Sequence, residues 1–419
     1  MPTARTRRRR SKKPGRSWPP RWRPEPTGTA QGSNAMTWTH RERILAALNH
    51  EEPDRVPIDL GGAEFTTITL AGYERLKKYL KVDEPTDVMS IIHSAAHPAE
   101  SILERFGVDT RNVQPGPYQG GPDHWIDNNT YIDIFNVLWK RTEKDVDQHF
   151  LHQDGPFHGG KLTVERVEAY PWPDGKNPGL VKGVKERVQQ IKARGDHAVC
   201  LYLPGGVIHR GYAMRGFESY LKDVYKNPEA LQRLIDKLCD FWCDTARNMI
   251  EAAGPENIDI FYFGEDLGTQ DSCMYDPNTI YVKFFKPSHR RMVETVKSLT
   301  NNRAKVCFHS CGSVYHFIPH FIEIGIDALN PVQVTAAKME PERLKGEFGD
   351  KMAFWGGINT QRILPFGTAK EVADETRRII GILGKGGGYV LNAVHNIQAE
   401  VPPENIVAMY ETGVAHRYH

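Results

Sequence analysis

Two residues apart, His309 and Cys311 close the apolar run "KVCFHSCG" just before a new amphipathic stretch begins. In an extended segment alternate side chains share a face, so Cys307, His309 and Cys311 point one way while Val306 and Phe308 point the other. Cys307 and Cys311 would lie roughly 13 Å apart along such a strand, too far to share an ion whose bonds to sulfur are about 2.3 Å. Cys307 therefore reads as core. His309 and Cys311 can converge if the chain curls at Gly312, and a thiolate beside an imidazole is a donor pair suited to zinc. Other apolar runs end in similar groups: "FYFGEDLGT" ends in Glu265 and Asp266, and "VLNAVHNIQ" in His395. Glu265 or Asp266, with His309, Cys311 and His395, makes an oxygen, nitrogen, sulfur, nitrogen ligand set. A solvated turn or a helix N-cap would use the two acids equally well, and a substrate-binding role would equally suit His395.

Further polar groups sit at corresponding places. His209, Arg210 and Arg215 follow "CLYLPGG" and could clamp a carboxylate or phosphate through the guanidinium fork, although solvated loop charges would look the same. Tyr262, Asn330, Gln333, Asn359 and Gln361 stand at or just beyond other strand ends, as pocket residues or as caps of the following turns.

Elements that could bring these ends together are visible in the rhythm of the chain. From Gly179 onward short apolar runs alternate with amphipathic stretches: "HAVCLYLPGG", "IDIFYFGED", "AKVCFHSCG", "IDALNPVQ", "MAFWGGIN" and "GYVLNAVH" read as strands with helices between them. "DRVPIDLGG" is a candidate first strand, and "ESILERFGVDTRNVQ" a helix leading into a second. The alternation predicts an α/β fold with parallel strands, a (β/α)8 TIM barrel whose active site lies at the strands' C-terminal ends. Between about 116 and 174 the rhythm breaks. "TYIDIFNVLWKRTEK" and "KLTVERVEAYPWPDG" look like hairpin strands and turns, giving a β-hairpin insertion near the rim. No Gly-x-Gly-x-x-Gly opens a helix after an early strand, which disfavours a dinucleotide fold.

Composition narrows the class. The formal charge of +2 conceals a leader at +9 over residues 1–32 and a body at −7. The Pro/Arg-rich leader lacks apolar periodicity and ends in "SNAM", so 1–35 reads as a disordered leader or tag remnant and 36–419 as a single barrel domain. An acidic body argues against nucleic acid as a partner. No apolar run nears the roughly 18–20 residues that cross a bilayer. The six cysteines form no regular framework, which favours free thiols and a cytoplasmic setting.

Taken together, "KVCFHSCGSVYHFIPHFIEIGIDALNPVQ", "FWGGINTQRILPFGT" and "GGGYVLNAVHNIQAEVPPENI" resemble the C-terminal half of the uroporphyrinogen decarboxylase superfamily. "RTEKDVDQHFLHQDGPFHGGKLTVERVEAYPWPD" and "HRGYAMRGFESYLKD" are similar to its branch of corrinoid-dependent methyltransferases, and the likeness runs from about Arg41 to Thr412. Decarboxylases of the superfamily hold porphyrinogen acid groups with arginines of a first-strand Arg-Gln-Ala-Gly-Arg motif, whereas "VPIDLGGAEFTT" contains no arginine. The resemblance implies that His309 and Cys311 are the His-x-Cys of a zinc site and that Glu265 matches its acidic ligand. The last ligand of those methyltransferases is usually a cysteine; His395 stands there instead, where the decarboxylases carry a histidine. The expected function is zinc-dependent movement of a methyl group between a small donor or acceptor and a corrinoid (cobalamin). With no Asp-x-His-x-x-Gly motif present, the corrinoid is expected on a partner protein. The alternatives are a carboxy-lyase of the uroporphyrinogen type, with His395 and an acid handling protons, and a non-catalytic barrel that binds a corrinoid or porphyrin. The resemblance also implies a homodimer.

Overall fold

The computed structural model describes residues 38–142, 147 and 149–418; the basic leader expected over 1–35 lies outside the described residues. Seven parallel strands form one sheet in strict chain order: β1 (Thr110–Val113), β2 (Ala198–Tyr202), β3 (Ile260–Gly264), β4 (Lys305–His309), β5 (Ala328–Asn330), β6 (Ala353–Trp355) and β7 (Tyr389–Val390). Each strand is followed by a helix or by an excursion that contains one, so the connections return each strand in the same direction.

The two edges meet through the expected first strand, which is a bridging stretch. Leu391 N–H donates to Pro57 O at 2.8 Å, Asp59 N–H to Leu391 O at 3.0 Å, and Asp109 N–H to Ile58 O at 2.8 Å. Pro57 has no N–H to give, which limits the regularity of this eighth stave. The Ile58 N–H instead donates to the Asp109 carboxylate at 2.7 Å. This closes the barrel.

Inside it lie Ala198, Cys200, Tyr202, Ile260, Tyr262, Cys307, Ala328, Ala353, Trp355 and Val390, joined by Ile44 and Leu48. The last two come from the helix His40–Leu48, whose Thr39 and Glu42 form a capping box. Cys307 is thus core, as its place in the strand predicts, and all six cysteines are free thiols. The outer faces of the strands pack on the surrounding helices, which include the 26-residue helix Pro228–Ala253.

Four short antiparallel strands break the alternation: His124–Trp125, Thr130–Ile132, Leu138–Arg141 and Phe150–Asp154. The hairpin expected in "TYIDIFNVLWK" is the central pair, with Tyr131 opposite Trp139. The stretch "KLTVERVEAYPWPDG" differs from expectation. It holds a helix, Val164–Glu168, because Thr163 caps it by accepting from Arg166 N–H, and Trp172 Nε1–H donates to Val167 O at 2.9 Å. Local capping here outweighs the β-branched residues that read as strand.

Candidate metal centre

The C-terminal ends of β4 and β7 place His309, Cys311 and His395 so that one ligand atom from each lies within 4.8 Å of the others. His309 is the last residue of β4 and sits opposite Gly264 of β3 and Asn330 of β5. Its Nδ1 lies 2.7 Å from Asn330 Oδ1, and an amide oxygen only accepts, so Nδ1 carries the proton. The lone pair is left on Nε2, which is 3.4 Å from Cys311 Sγ. Tyr262 reinforces the arrangement by donating its hydroxyl to the same Asn330 oxygen, while Asn330 Nδ2 donates to Trp355 O at 3.2 Å. A ligating histidine whose other nitrogen is fixed in this way is the usual architecture of a metal site. Replacing Asn330 with alanine is expected to weaken zinc affinity roughly 10–100-fold, as measured by competition against a chromophoric chelator.

Gly264 makes room for the ligand. A Cβ there would lie 2.3 Å from His309 Cβ and 2.6 Å from the His309 carbonyl oxygen, both parts of a buried strand that cannot swing aside. Gly264→Ala should destabilise the fold by about 1–3 kcal/mol and displace His309, lowering bound metal; denaturant titration and elemental analysis read the two effects separately.

Electrostatics favour neutral ligands. Burial holds His309 down to about 4, against the pull of the Asp266 carboxylate. Burial, then the neighbouring His309, holds His395 down to about 3. Both imidazoles therefore offer lone pairs at neutral pH. Burial and Asp266 push the Cys311 thiol well above its ordinary value, so without a cation it keeps its proton. Two neutral nitrogens and a thiol awaiting a positive charge suit a borderline-soft divalent ion such as zinc.

The two acids separate. Glu265 is fully buried and turned away from this cluster: its carboxylate accepts from the N–H groups of Val207, Ile208 and His209, the last at 2.9 Å, and lies 3.3 Å from His289 Nε2. It caps the helix Val207–Arg215, where the helix dipole favours an anion. Glu265, expected as a metal ligand, is bonded at this helix end and is not one of the three clustered donors. Asp266 is the acid beside the cluster. Its Oδ1 accepts from Cys311 N–H at 2.8 Å and lies 3.8 Å from His309 Nε2, and its Oδ2 lies 3.3 Å from His209 Nε2. Burial opposes its ionisation, but His209, then His309 and the Cys311 N–H, hold its carboxyl far below the usual range. Burial in turn lowers His209, and Asp266 more than reverses this.

The remaining candidates divide in the same manner. Gln333, Asn359 and Gln361 line a cavity of about 100 Å³ with Cys311 and His395. Gln333 Oε1 accepts from Gly312 N–H at 2.8 Å, which fixes the curl after the strand. Asn359 Oδ1 accepts from Gln361 and Arg362 N–H groups, a turn cap rather than a free amide. Arg210 and Arg215, expected as a substrate clamp, are each engaged with other protein groups. Arg210 pairs with Asp133 of the inserted sheet and stacks over Phe135 at 4.7 Å. Arg215 is buried, bonded to Asp223 at 2.6 Å and to the carbonyl oxygens of Phe157, Gly159 and Gly160.

Sequence reasoning missed Glu64, Phe65 and His93. Phe65 stacks on His309 with ring centroids 4.2 Å apart, and lies 5.6 Å from His395. The strand-end rule applied to "DLGGAEF" would have found Glu64 and Phe65; the turn that carries His93 leaves no such mark.

Comparison with known proteins agrees with this geometry at the level of the family. The uroporphyrinogen decarboxylase (URO-D) profile matches residues 146–416, more than half of the sequence, and the chain belongs to that family. The uroporphyrinogen decarboxylase of Psychromonas ingrahamii is 25% identical over 387 residues, 88% of this chain and 95% of that protein. That of Hahella chejuensis is 24% identical over 196 residues, 46% of this chain and 51% of that protein, so this match spans about half the relative. Among solved structures, a methyltransferase from Methanosarcina mazei superposes with a TM-score of 0.61 at 16% identity, covering 90% of this chain and 99% of that one. That likeness extends the shared barrel over nearly the whole described chain. Among the described residues, no helix is long and apolar enough to cross a membrane.

Proposed function

We propose that the protein is a zinc-dependent methyltransferase that moves a methyl group between a small thiol, alcohol or methyl ether and a corrinoid carried by a partner protein in the cytoplasm. The observation that carries this reading is the His309, Cys311 and His395 cluster, with ligand atoms within 4.8 Å of one another. A bound zinc ion would supply Lewis acidity, favouring loss of a thiol proton or departure of an ether oxygen. The chain's own residues do the rest. Asn330 and Tyr262 hold the His309 ring with Nε2 facing Cys311. Phe65 and Val394 shield the donors with apolar surface. Gln333, Thr335, Asn359, Thr360 and Gln361 offer neutral hydrogen-bonding groups to a small molecule.

Two features weigh against a porphyrinogen. The cavity of about 100 Å³ is below the roughly 300–1,000 Å³ of pockets for larger ligands. Among the described residues its lining contains no arginine or lysine to meet several carboxylates, and Arg210 and Arg215 are held in ion pairs. The family name and the curated relatives favour decarboxylation as the second reading. One experiment separates them. Zinc-loaded protein is incubated with methylcobalamin and a panel of thiols, and separately with uroporphyrinogen. Demethylation of the cobalamin that requires metal supports the proposal; metal-independent release of carbon dioxide from uroporphyrinogen would overturn it.

A further inference from the structure

Cys311 and His395 share their cavity with neutral polar side chains, and most of the polar atoms on these are already engaged. Gln333 accepts from Gly312 N–H at 2.8 Å through Oε1 and donates to Gln270 Oε1 at 2.9 Å through Nε2, so neither end of that amide is left for a ligand. Thr335 gives its hydroxyl proton to Gln361 Oε1 at 2.8 Å and keeps its lone pairs. Asn359 accepts from the N–H groups of Gln361 and Arg362, at 2.9 and 2.8 Å, through Oδ1. Those two bonds settle which end of the Asn359 amide is oxygen. The other end, Nδ2, has no protein partner among the described residues. Asn359 is only 8% exposed and lines the cavity, so the cavity is where Nδ2 meets a partner.

Charge narrows what that partner can be. Among the described residues no lysine or arginine lines the cavity; Arg362 is exposed and stands outside the lining. The formal charge that touches the wall is negative, because Asp266 Oδ1 accepts from the Cys311 N–H at 2.8 Å. A carboxylate or sulfonate would enter with no cation to meet it and with Asp266 close by. An ammonium group has hydrogens only, and would set them against the hydrogens of Asn359 Nδ2. A hydroxyl matches both kinds of wall: it accepts from Nδ2 and donates to a lone pair such as that of Thr335.

We propose that Asn359 selects the small molecule by its second polar group, and that this group is an uncharged hydroxyl. The inference rests on the reading of the site as one that takes a thiol at the clustered donors, and it narrows that thiol to a short hydroxythiol. Asn359 makes and breaks no bond; it determines specificity through one hydrogen bond, while its Oδ1 holds the turn. Asn359→Asp separates these two tasks. It retains Oδ1 as the turn cap and puts a negatively charged acceptor in place of the donor.

Binding, not turnover, provides the test. The zinc-loaded full chain, as wild type and as Asn359→Asp, is titrated calorimetrically at neutral pH with 2-mercaptoethanol, cysteamine and 2-mercaptoethanesulfonate. Wild type should bind 2-mercaptoethanol at least about tenfold more tightly than 2-mercaptoethanesulfonate. The ratio of the dissociation constant of 2-mercaptoethanol to that of cysteamine should rise about tenfold or more in Asn359→Asp, with zinc content unchanged. Each thiol is compared with itself across the two proteins, so differences in thiol acidity cancel from that change. Should Asn359→Asp fold poorly, Asn359→Ser still caps the turn through its hydroxyl and should weaken 2-mercaptoethanol without strengthening cysteamine. An unmoved ratio, or 2-mercaptoethanesulfonate bound to wild type as tightly as 2-mercaptoethanol, overturns selection by Asn359 and leaves the metal reading in place. Failure of zinc-loaded wild type to bind any of the three thiols overturns the reading of the site, and this proposal with it.

Discussion

Cys311→Ala protein, purified from cells grown with ample zinc, should retain its fold and lose its metal. Cys311 is the single thiol among the clustered donors, and it lies in the turn beyond β4 rather than inside the barrel. Its removal takes away the one ligand that becomes an anion, so the loss should exceed the roughly 10–100-fold typical of changes to outer-shell partners. His309→Ala should do the same. Elemental analysis reads both. The pH dependence of binding provides a sharper check. His309 and His395 are held down to about 4 and about 3, so above pH 5 neither has a proton to give up to a metal. Cys311, pushed well above its ordinary value, does. Zinc binding should therefore release one proton, and affinity should rise about tenfold per pH unit between pH 6 and pH 8. A slope near two or three would mean that the histidines are protonated in the free protein, and would remove the argument from burial.

The second large effect is expected far from the metal, at Asp109. This fully buried carboxylate accepts two bonds from Arg55 at 2.8 Å each, the Ile58 N–H at 2.7 Å, and His40 Nδ1 at 2.7 Å. It joins the closing stretch, the residue before β1 and the helix that fills the barrel floor. Asp109→Asn removes the charge and leaves Arg55 buried without a counterion, at a cost of about 3–5 kcal/mol. A drop of that size in the unfolding free energy from denaturant titration, with zinc content per folded molecule unchanged, is the expected outcome. Unchanged stability would show that the barrel closes without this pairing.

Much of the site was legible because strand ends in a barrel obey a simple rule. Polar residues that finish apolar runs gather on one rim, and that rule brought His309, Cys311 and His395 together from residues 86 apart. It failed at the next level of detail. Glu265 and Asp266 are adjacent, so they face opposite ways, and which one faces the metal donors depends on the alignment of β3 with β4. Glu265 N–H bonds to His309 O, and that registry sends its carboxylate to a helix end and leaves Asp266 beside His309. Arg210 looked free because its partner, Asp133, lies in the inserted sheet, 77 positions away. The helix at Val164–Glu168 was hidden by β-branched residues whose effect a single threonine cap outweighs. Glu64 was passed over because the stretch around it was read for arginines, not for a buried acid.

The barrel closes along a single seam, where Pro57 and Asp59 meet Leu391. Glu64 and Phe65 hang from one side of that seam and His395 from the other, each only a few residues beyond it, while His309 and Cys311 belong to the continuous wall of β4. The seam carries more than its backbone bonds: Asn392 Nδ2 donates to Asp59 O at 2.9 Å and to Thr66 O at 3.1 Å, and Ile397 exchanges backbone bonds with Thr67 and Thr69. The two ends of the chain that carry Phe65 and His395 are therefore fastened to each other across the join. Amides there should exchange as slowly as those of the strands on either side.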